Sequence, residues 1–170
     1  MIEIRKENEK DYDVIYDVVK TAFSKASHCD GNEQDLVNDL RKGNAYIPEL
    51  SLVANDNDKI VGYIMFTKIN IGENEEIALA PLAVLPEYQR QGIGSLLIKE
   101  GHRIAKELGY NYSVVLGSEN YYPKFGYVPA KVYGIKPPFE VDDKNFMAVK
   151  LNDNADKIDG TVIYSKEFGI

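Results

Sequence analysis

The chain has 170 residues, enough for one domain with a core of ordinary size. Hydrophobic residues make up 44% and charged residues 28%, a balance that excludes an intrinsically disordered chain. The net charge of −7 argues against a nucleic-acid binder, which needs a basic footprint, and suits a cationic or amine substrate attracted at long range.

Residues 2–5 alternate as a short strand. No signal-peptide core precedes them and no apolar run reaches the roughly 20 residues of a membrane span, so a cytoplasmic location with no membrane contact is the expectation. From Lys10 to Ser24, Val14, Ile15, Val18, Val19 and Phe23 recur at three- and four-residue steps, which predicts an amphipathic helix. The polar stretch 25–31 holds the single cysteine, Cys29, which excludes an intramolecular disulfide framework. His28 beside it does not make a metal site, because adjacent residues rarely face one atom; no metal is expected. Asn32 reads as the N-cap of a second helix, with Glu33 and Asp35 in its first turn and Leu36, Val37 and Leu40 as its buried stripe.

Leu50–Ala54 and Lys59–Ile69 are strand-like around the turn cluster Asn55-Asp56-Asn57-Asp58, which predicts a hairpin. Glu76–Leu85 is nearly continuous in apolar residues, as a strand buried on both faces would be. Gly92–Leu108 predicts a long helix closed by Gly109, with His102 on the solvent side of an Ile93, Leu97, Ile104, Leu108 stripe. Tyr112–Leu116 reads as a buried strand, Tyr121–Phe125 as a short helical turn, and Phe146–Leu151 and Thr161–Ser165 as strands. The expected fold is a single α/β (α+β) domain over 1–170, a mixed sheet covered by helices.

The chemistry concentrates between Ala80 and Ser95, where a buried strand feeds a loop that opens the long helix. Backbone N–H groups in the first helical turn have no intrahelical partner and lie at the positive end of the macrodipole, a good place for a diphosphate. In the run Gln89-Arg90-Gln91-Gly92-Ile93-Gly94-Ser95, the two glycines remove Cβ atoms that would hold a diphosphate off, Arg90 adds charge and Ser95 a hydroxyl. A dinucleotide-binding fingerprint fits poorly, because position 97 is Leu97 and the motif sits mid-chain rather than after the first strand, and the Gly-Lys-Ser/Thr ending of a P-loop is absent. Pro81 lacks an N–H, so the sheet should bulge or splay beside it. That would free backbone groups of Leu82, Ala83 and Val84 for an extended amide-bearing ligand to add like a strand.

Gln89-x-x-Gly92-x-Gly94 after an apolar strand resembles the acyl-CoA signature of the GNAT superfamily of N-acetyltransferases. Asn120-Tyr121-Tyr122-Pro123-Lys124-Phe125-Gly126-Tyr127 is similar to that superfamily's later Tyr-x-x-x-Gly-aromatic motif, about thirty residues on. The resemblance covers roughly residues 1–130. Asn145-Phe146-Met147 and Gly160–Tyr164 resemble a subset of bacterial members and extend it towards the end of the chain.

The resemblance implies a mostly antiparallel sheet with a central splay. It implies acetyl-CoA as co-substrate and direct attack by a bound primary amine, favoured to be a small molecule, with a homodimer as the family's habit. Leu82, Ala83, Val84, Gln89, Arg90, Gln91, Gly92, Ile93, Gly94, Ser95, Asn120 and Tyr122 are then the cofactor-binding residues. A backbone N–H near Val84 would polarise the thioester carbonyl, and Tyr122 would protonate the departing thiolate. Tyr121 is the fallback acid, expected to face away. Glu33 is the candidate base, with Glu119 or a water relay as alternatives, and Tyr133, Pro137, Pro138 and Phe139 are candidates to line the acceptor pocket. A protein or peptide acceptor, or a non-catalytic acyl-CoA-binding module, are the competing readings.

Overall fold

The computed structural model describes residues 1–24 and 31–170. His28 and Cys29 lie outside the described residues. The elements run β1 (Ile2–Lys6), α1 (Tyr12–Phe23), α2 (Glu33–Arg41), β2 (Tyr46–Asp56), β3 (Lys59–Ile71), β4 (Asn74–Val84), α3 (Ile93–Glu107), β5 (Tyr112–Leu116), β6 (Val128–Pro129), β7 (Ile135–Lys136), β8 (Phe146–Lys150) and β9 (Gly160–Ile163), with short 3-10 turns between. The strands form one mixed sheet in the order β1-β2-β3-β4-β5-β8-β6; β9 pairs with the end of β3, and β7 lies parallel to β9. Within the main order only β4 and β5 run parallel.

The β2–β3 hairpin turns through Asn57 (φ 49°) and Asp58 (φ 72°), between the pair Asp56 and Lys59. Two left-handed residues in a two-residue loop match the twist of the strands, and Asn and Asp tolerate that conformation best among non-glycine residues. α1 begins two residues later than the periodicity predicts, because Asn8 and Asp11 form a capping box around a preceding 3-10 turn. Its buried stripe is Ile15, Val18 and Val19, while Val14 is exposed. Asn32 does stand before α2, but its side chain makes no capping bond; its carbonyl takes the N–H groups of Asp35 and Leu36.

Alternation along β3 sorts the helices. Cβ atoms added at Gly62 would meet Ile93 and Leu97, and one at Gly101 would run into Phe66, so α3 lies on the Gly62–Ile64–Phe66 face. Tyr63 faces the other side, where its hydroxyl donates to Glu7 Oε1 at 3.2 Å. Arg41 of α2 grips the same carboxylate at 2.8 and 3.1 Å and lies 3.8 Å over the ring of Tyr12 of α1. A second apolar cluster, built on Tyr112, Val114, Phe146 and Ile135, fills the far half of the sheet. No helix among the described residues is long and apolar enough to cross a membrane.

Candidate active site

The sheet opens where Pro81 required it to. Ala80-Pro81 is a cis bond and sits in a register shift: Ile64 faces Leu82, but Phe66 faces Leu79. β5 accompanies β4 only at Ile77–Ser113 and Ala78–Val114, then departs. Beyond the bulge the ladder to β3 has a fixed phase. Leu85 N–H donates to Val61 O at 2.9 Å, so Leu85 and Ala83 turn their backbone groups to β3 while Val84 and Leu82 turn theirs to the vacated side. Ala83, expected among the cofactor-binding residues, is buried, turns its amide to the β3 side and borders neither of the clefts described below.

A cleft of 550 Å³ opens at the start of α3, bordered by Arg90, Gly92, Gly94, Ser95, Tyr88 and Lys124 among others. The first helical bond runs from Leu96 N–H to Gly92 O, so the N–H groups of Ile93, Gly94 and Ser95 have no intrahelical acceptor. No acid occupies that first turn. The two glycines serve different ends. Gly92 is left-handed (φ 82°) with open space where a Cβ would point, whereas a Cβ on Gly94 would strike the Tyr121 hydroxyl. Ser95 meets that same hydroxyl. Arg90 is also left-handed (φ 63°). Gln89 Nε2 donates to Val84 O at 3.2 Å and Gln91 Nε2 to Glu87 O at 3.2 Å, so both glutamines brace the loop; Gln91 borders neither cleft. Tyr88 and Lys124 are additions to the sequence reading. Lys124 Nζ sits 5.5 Å over the Tyr121 ring, which carries it to the mouth of the cradle. The signal for it lay in the Tyr-Pro-Lys-Phe-Gly turn.

A larger cleft of 1270 Å³ lies where β5 leaves β4, bordered by α2, the 117–122 loop and the 141–145 segment. Leu82 and Tyr121 border both clefts and so form the neck between them. Tyr122 borders the larger one. Its ring stands edge-on to Tyr121 (5.2 Å) and Tyr127 (5.8 Å), and it lies so close on Gly117 that no Cβ would fit there. Burial pushes the Tyr122 hydroxyl well above the usual phenol range, with the neighbouring Tyr121 adding to the effect. Tyr121 does not face away from Tyr122 as expected; the two rings share the cleft wall.

Glu33 borders this cleft from α2 and Glu119 from the opposite side. A hydrogen bond from its own backbone N–H, then one from Asn145 Nδ2 at 2.6 Å, hold the Glu119 carboxyl below its ordinary range, which makes it a weaker base. Asn120 is exposed, donates its N–H to Ser118 Oγ at 3.1 Å and borders neither cleft. Tyr133, Pro137, Pro138 and Phe139 stay outside it as well: Tyr133 packs edge-on against Tyr112 at 5.4 Å, and Phe139 against Phe146 at 6.1 Å. His102 is not a surface residue. The buried stripe of α3 is Ile93, Leu97, Ile98, Gly101 and Ala105, which turns His102 inward between Phe66 and Tyr127. Its Nε2 meets Tyr127 Oη at 3.0 Å, Tyr127 Oη meets Ser113 Oγ at 2.8 Å, and burial lowers the imidazole pKa to about 4.

The arrangement matches known proteins over most of its length. The model of the Acetyltransferase (GNAT) family matches residues 12–127, and the chain belongs to that family. It is 38% identical over 118 residues to the uncharacterized N-acetyltransferase YjhQ of Escherichia coli, a match spanning 66% of this chain and 65% of that relative. It is 32% identical over 140 residues to the uncharacterized N-acetyltransferase YhbS of the same organism, covering 80% and 83% of the two chains. Among solved structures, YhbS in complex with CoA aligns with a TM-score of 0.90 at 28% identity over 99% of this chain and 92% of that one. A GNAT family acetyltransferase from Brucella melitensis in complex with acetyl-CoA aligns with a TM-score of 0.82 at 30% identity, over 99% and 98%.

Proposed function

We propose that this chain, acting as one domain over 1–170, transfers the acetyl group of acetyl-CoA to a small-molecule primary amine while both are bound. The observation that carries the reading is a continuous path. The free N–H groups of α3 and the outward-facing N–H of Val84 open into the smaller cleft, the outward-facing groups of Leu82 line the neck, and Tyr122 stands in the larger cleft beyond. A diphosphate fits the first part: a Cβ at Gly92 would point into open space, and Arg90 and Lys124 supply positive charge. A pantetheine arm fits the second, hydrogen bonding along β4 as a missing strand. The relatives solved with acetyl-CoA and with CoA support the same reading.

The chemistry then follows from this chain's own groups. An N–H of β4 turned to the vacated side near Val84, that of Leu82 at the neck being the one that borders the same cleft as Tyr122, takes the carbonyl oxygen as charge builds on it, a donor role that can supply ~3 kcal/mol. The amine lone pair forms the C–N bond, the C–S bond breaks, and the sulfur leaves with the electron pair. Tyr122, held protonated by burial, gives that sulfur its proton. The amine's surplus proton passes to Glu33 or through water. Gly117 is what lets Tyr122 lie against the end of β5.

Calorimetric titration with acetyl-CoA, followed by a thiol-release assay with added amines, tests the reading. One-to-one binding with amine-dependent release is expected. Absence of acetyl-CoA binding would overturn it, and binding without release from any amine would leave only a sensing role.

A further inference from the structure

Tyr121 brings a hydroxyl to the cradle side of the neck, where its neighbour Leu82 brings only an isobutyl group. That hydroxyl stands against the first turn of α3, in the space that Gly94 leaves. A Cβ on Gly94 would strike the Tyr121 oxygen, while the next nearest atoms, Tyr121 Cζ at 3.6 Å and Leu82 Cδ2 at 3.8 Å, lie at ordinary contact distance. The ring is fixed from three directions: edge-on to Tyr122 and to Phe125 at 5.2 Å each, and beneath Lys124 Nζ at 5.5 Å. Ser95, in the same helical turn, meets the hydroxyl and can donate its own proton to the phenol oxygen, which leaves the phenol proton for another acceptor. Burial raises the phenol above its ordinary range, so that proton stays on at neutral pH. The N–H groups of Ile93, Gly94 and Ser95, which have no intrahelical acceptor, belong to this turn as well. A hydroxyl held against them serves the same anion that they take.

Resting on the acetyltransferase reading above, we propose that Tyr121 is a cofactor-contacting residue: its hydroxyl donates to the phosphate from which the pantetheine arm departs, and so fixes where the arm enters the neck. Tyr122, which borders only the larger cleft, keeps the proton transfer to sulfur. The adjacent tyrosines thus divide the work, one holding the diphosphate end of the arm and the other serving its sulfur. Gly94 is then a glycine because the Tyr121 hydroxyl needs the space, whereas Gly92 faces open space where the diphosphate fits.

The test is calorimetric titration of the wild type, Tyr121→Phe, Gly94→Ala and the double variant with CoA and with acetyl-CoA, paired with steady-state thiol release. Tyr121→Phe keeps the ring and should raise both dissociation constants about 10-fold, the scale of a lost hydrogen bond to a charged group. The activity loss should fall on KM for acetyl-CoA rather than on kcat, as for an interaction made equally in the ground and transition states. A merely structural hydroxyl would lower the thermal midpoint and leave the dissociation constants of the folded variant as they were. Gly94→Ala should displace the hydroxyl and weaken both ligands by a similar factor. In the Tyr121→Phe background the added methyl fits, and it should weaken them no further. Wild-type dissociation constants in Tyr121→Phe overturn the proposal, and so does a loss confined to kcat, which would make Tyr121 the acid. Equal weakening by Gly94→Ala in both backgrounds assigns the vacancy to the diphosphate and overturns it too. A wild type that binds neither CoA nor acetyl-CoA overturns the acetyltransferase reading itself.

Discussion

At the scale of single residues, Tyr122 and His102 show burial doing opposite work on two kinds of group. Burial raises the Tyr122 phenol and so keeps it a proton donor throughout the neutral range. Tyr122→Phe should lower kcat by ~10²-fold with acetyl-CoA affinity nearly unchanged, the size usual for a lost general acid. Unaltered steady-state rates would remove the acid role. The alkaline fall in kcat should not come from Tyr122 below pH ~10, because a raised phenol deprotonates later than a free one. For His102 burial lowers the pKa from 6.5 to about 4, since the charged form is the one that loses water. The folded state therefore resists protonation that the unfolded chain accepts. Stability is fully present above pH 6.5 and is lost as pH falls from 6.5 through 4, by roughly 3 kcal/mol at most. His102→Gln, which can still bond to Tyr127 and does not titrate, should flatten that slope in denaturant titrations at pH 7, 5.5 and 4. Parallel curves for the two proteins would show that His102 is not the group responsible.

At the scale of elements, the junction of β4 and α3 combines a fixed backbone shape with open space. Gly92 takes φ 82°, a conformation that costs a residue with a Cβ ~1–2 kcal/mol, and the added side chain would project to where a diphosphate fits. Gly92→Val should therefore lose modest stability and at least ~10-fold in acetyl-CoA affinity, read by calorimetry well below its unfolding midpoint. Wild-type affinity in the folded variant would defeat the assignment of this loop to the cofactor. Local chemistry of this kind was legible in the sequence. Pro81 announced the bulge, Asn57-Asp58 the hairpin and Gly92-x-Gly94 the helix start, because each is a rule about a few consecutive residues. What was not legible depends on distant chain. Gly94 yields space to Tyr121, twenty-seven positions on, and Gly117 yields it to Tyr122. Apolar periodicity runs the α3 stripe through Ile104 and Leu108, but Ile98, Gly101 and Ala105 are the buried positions, and His102 turns inward with them. The buried Glu7 carboxylate gathers Arg41, Tyr46 and Tyr63 from three separate elements, and no local pattern marks any of the four.

At the scale of the whole molecule, the main sheet is two parts joined by a narrow seam. β1 to β4 form one antiparallel block and β5, β8 and β6 another, and between them lie only the pairs Ile77–Ser113 and Ala78–Val114. A ligand that completes the edge of β4 should do what a missing strand would do, and backbone amides report it directly. In the free protein, the amides of Ala83 and Leu85 face β3 and should exchange slowly with deuterium, while those of Leu82 and Val84 face the gap and should exchange fast. Saturation with acetyl-CoA should slow Leu82 or Val84 selectively. At a hundred times the dissociation constant, the whole fold should gain about 2.7 kcal/mol, and the thermal midpoint should rise by ~5–10 °C for a chain of this length. The alternation distinguishes this from general tightening. If acetyl-CoA protected all four amides equally, or left Leu82 and Val84 as they were while raising the midpoint, the ligand would be bound away from the edge of β4. The strand-like path from α3 to Tyr122 would then be the wrong one.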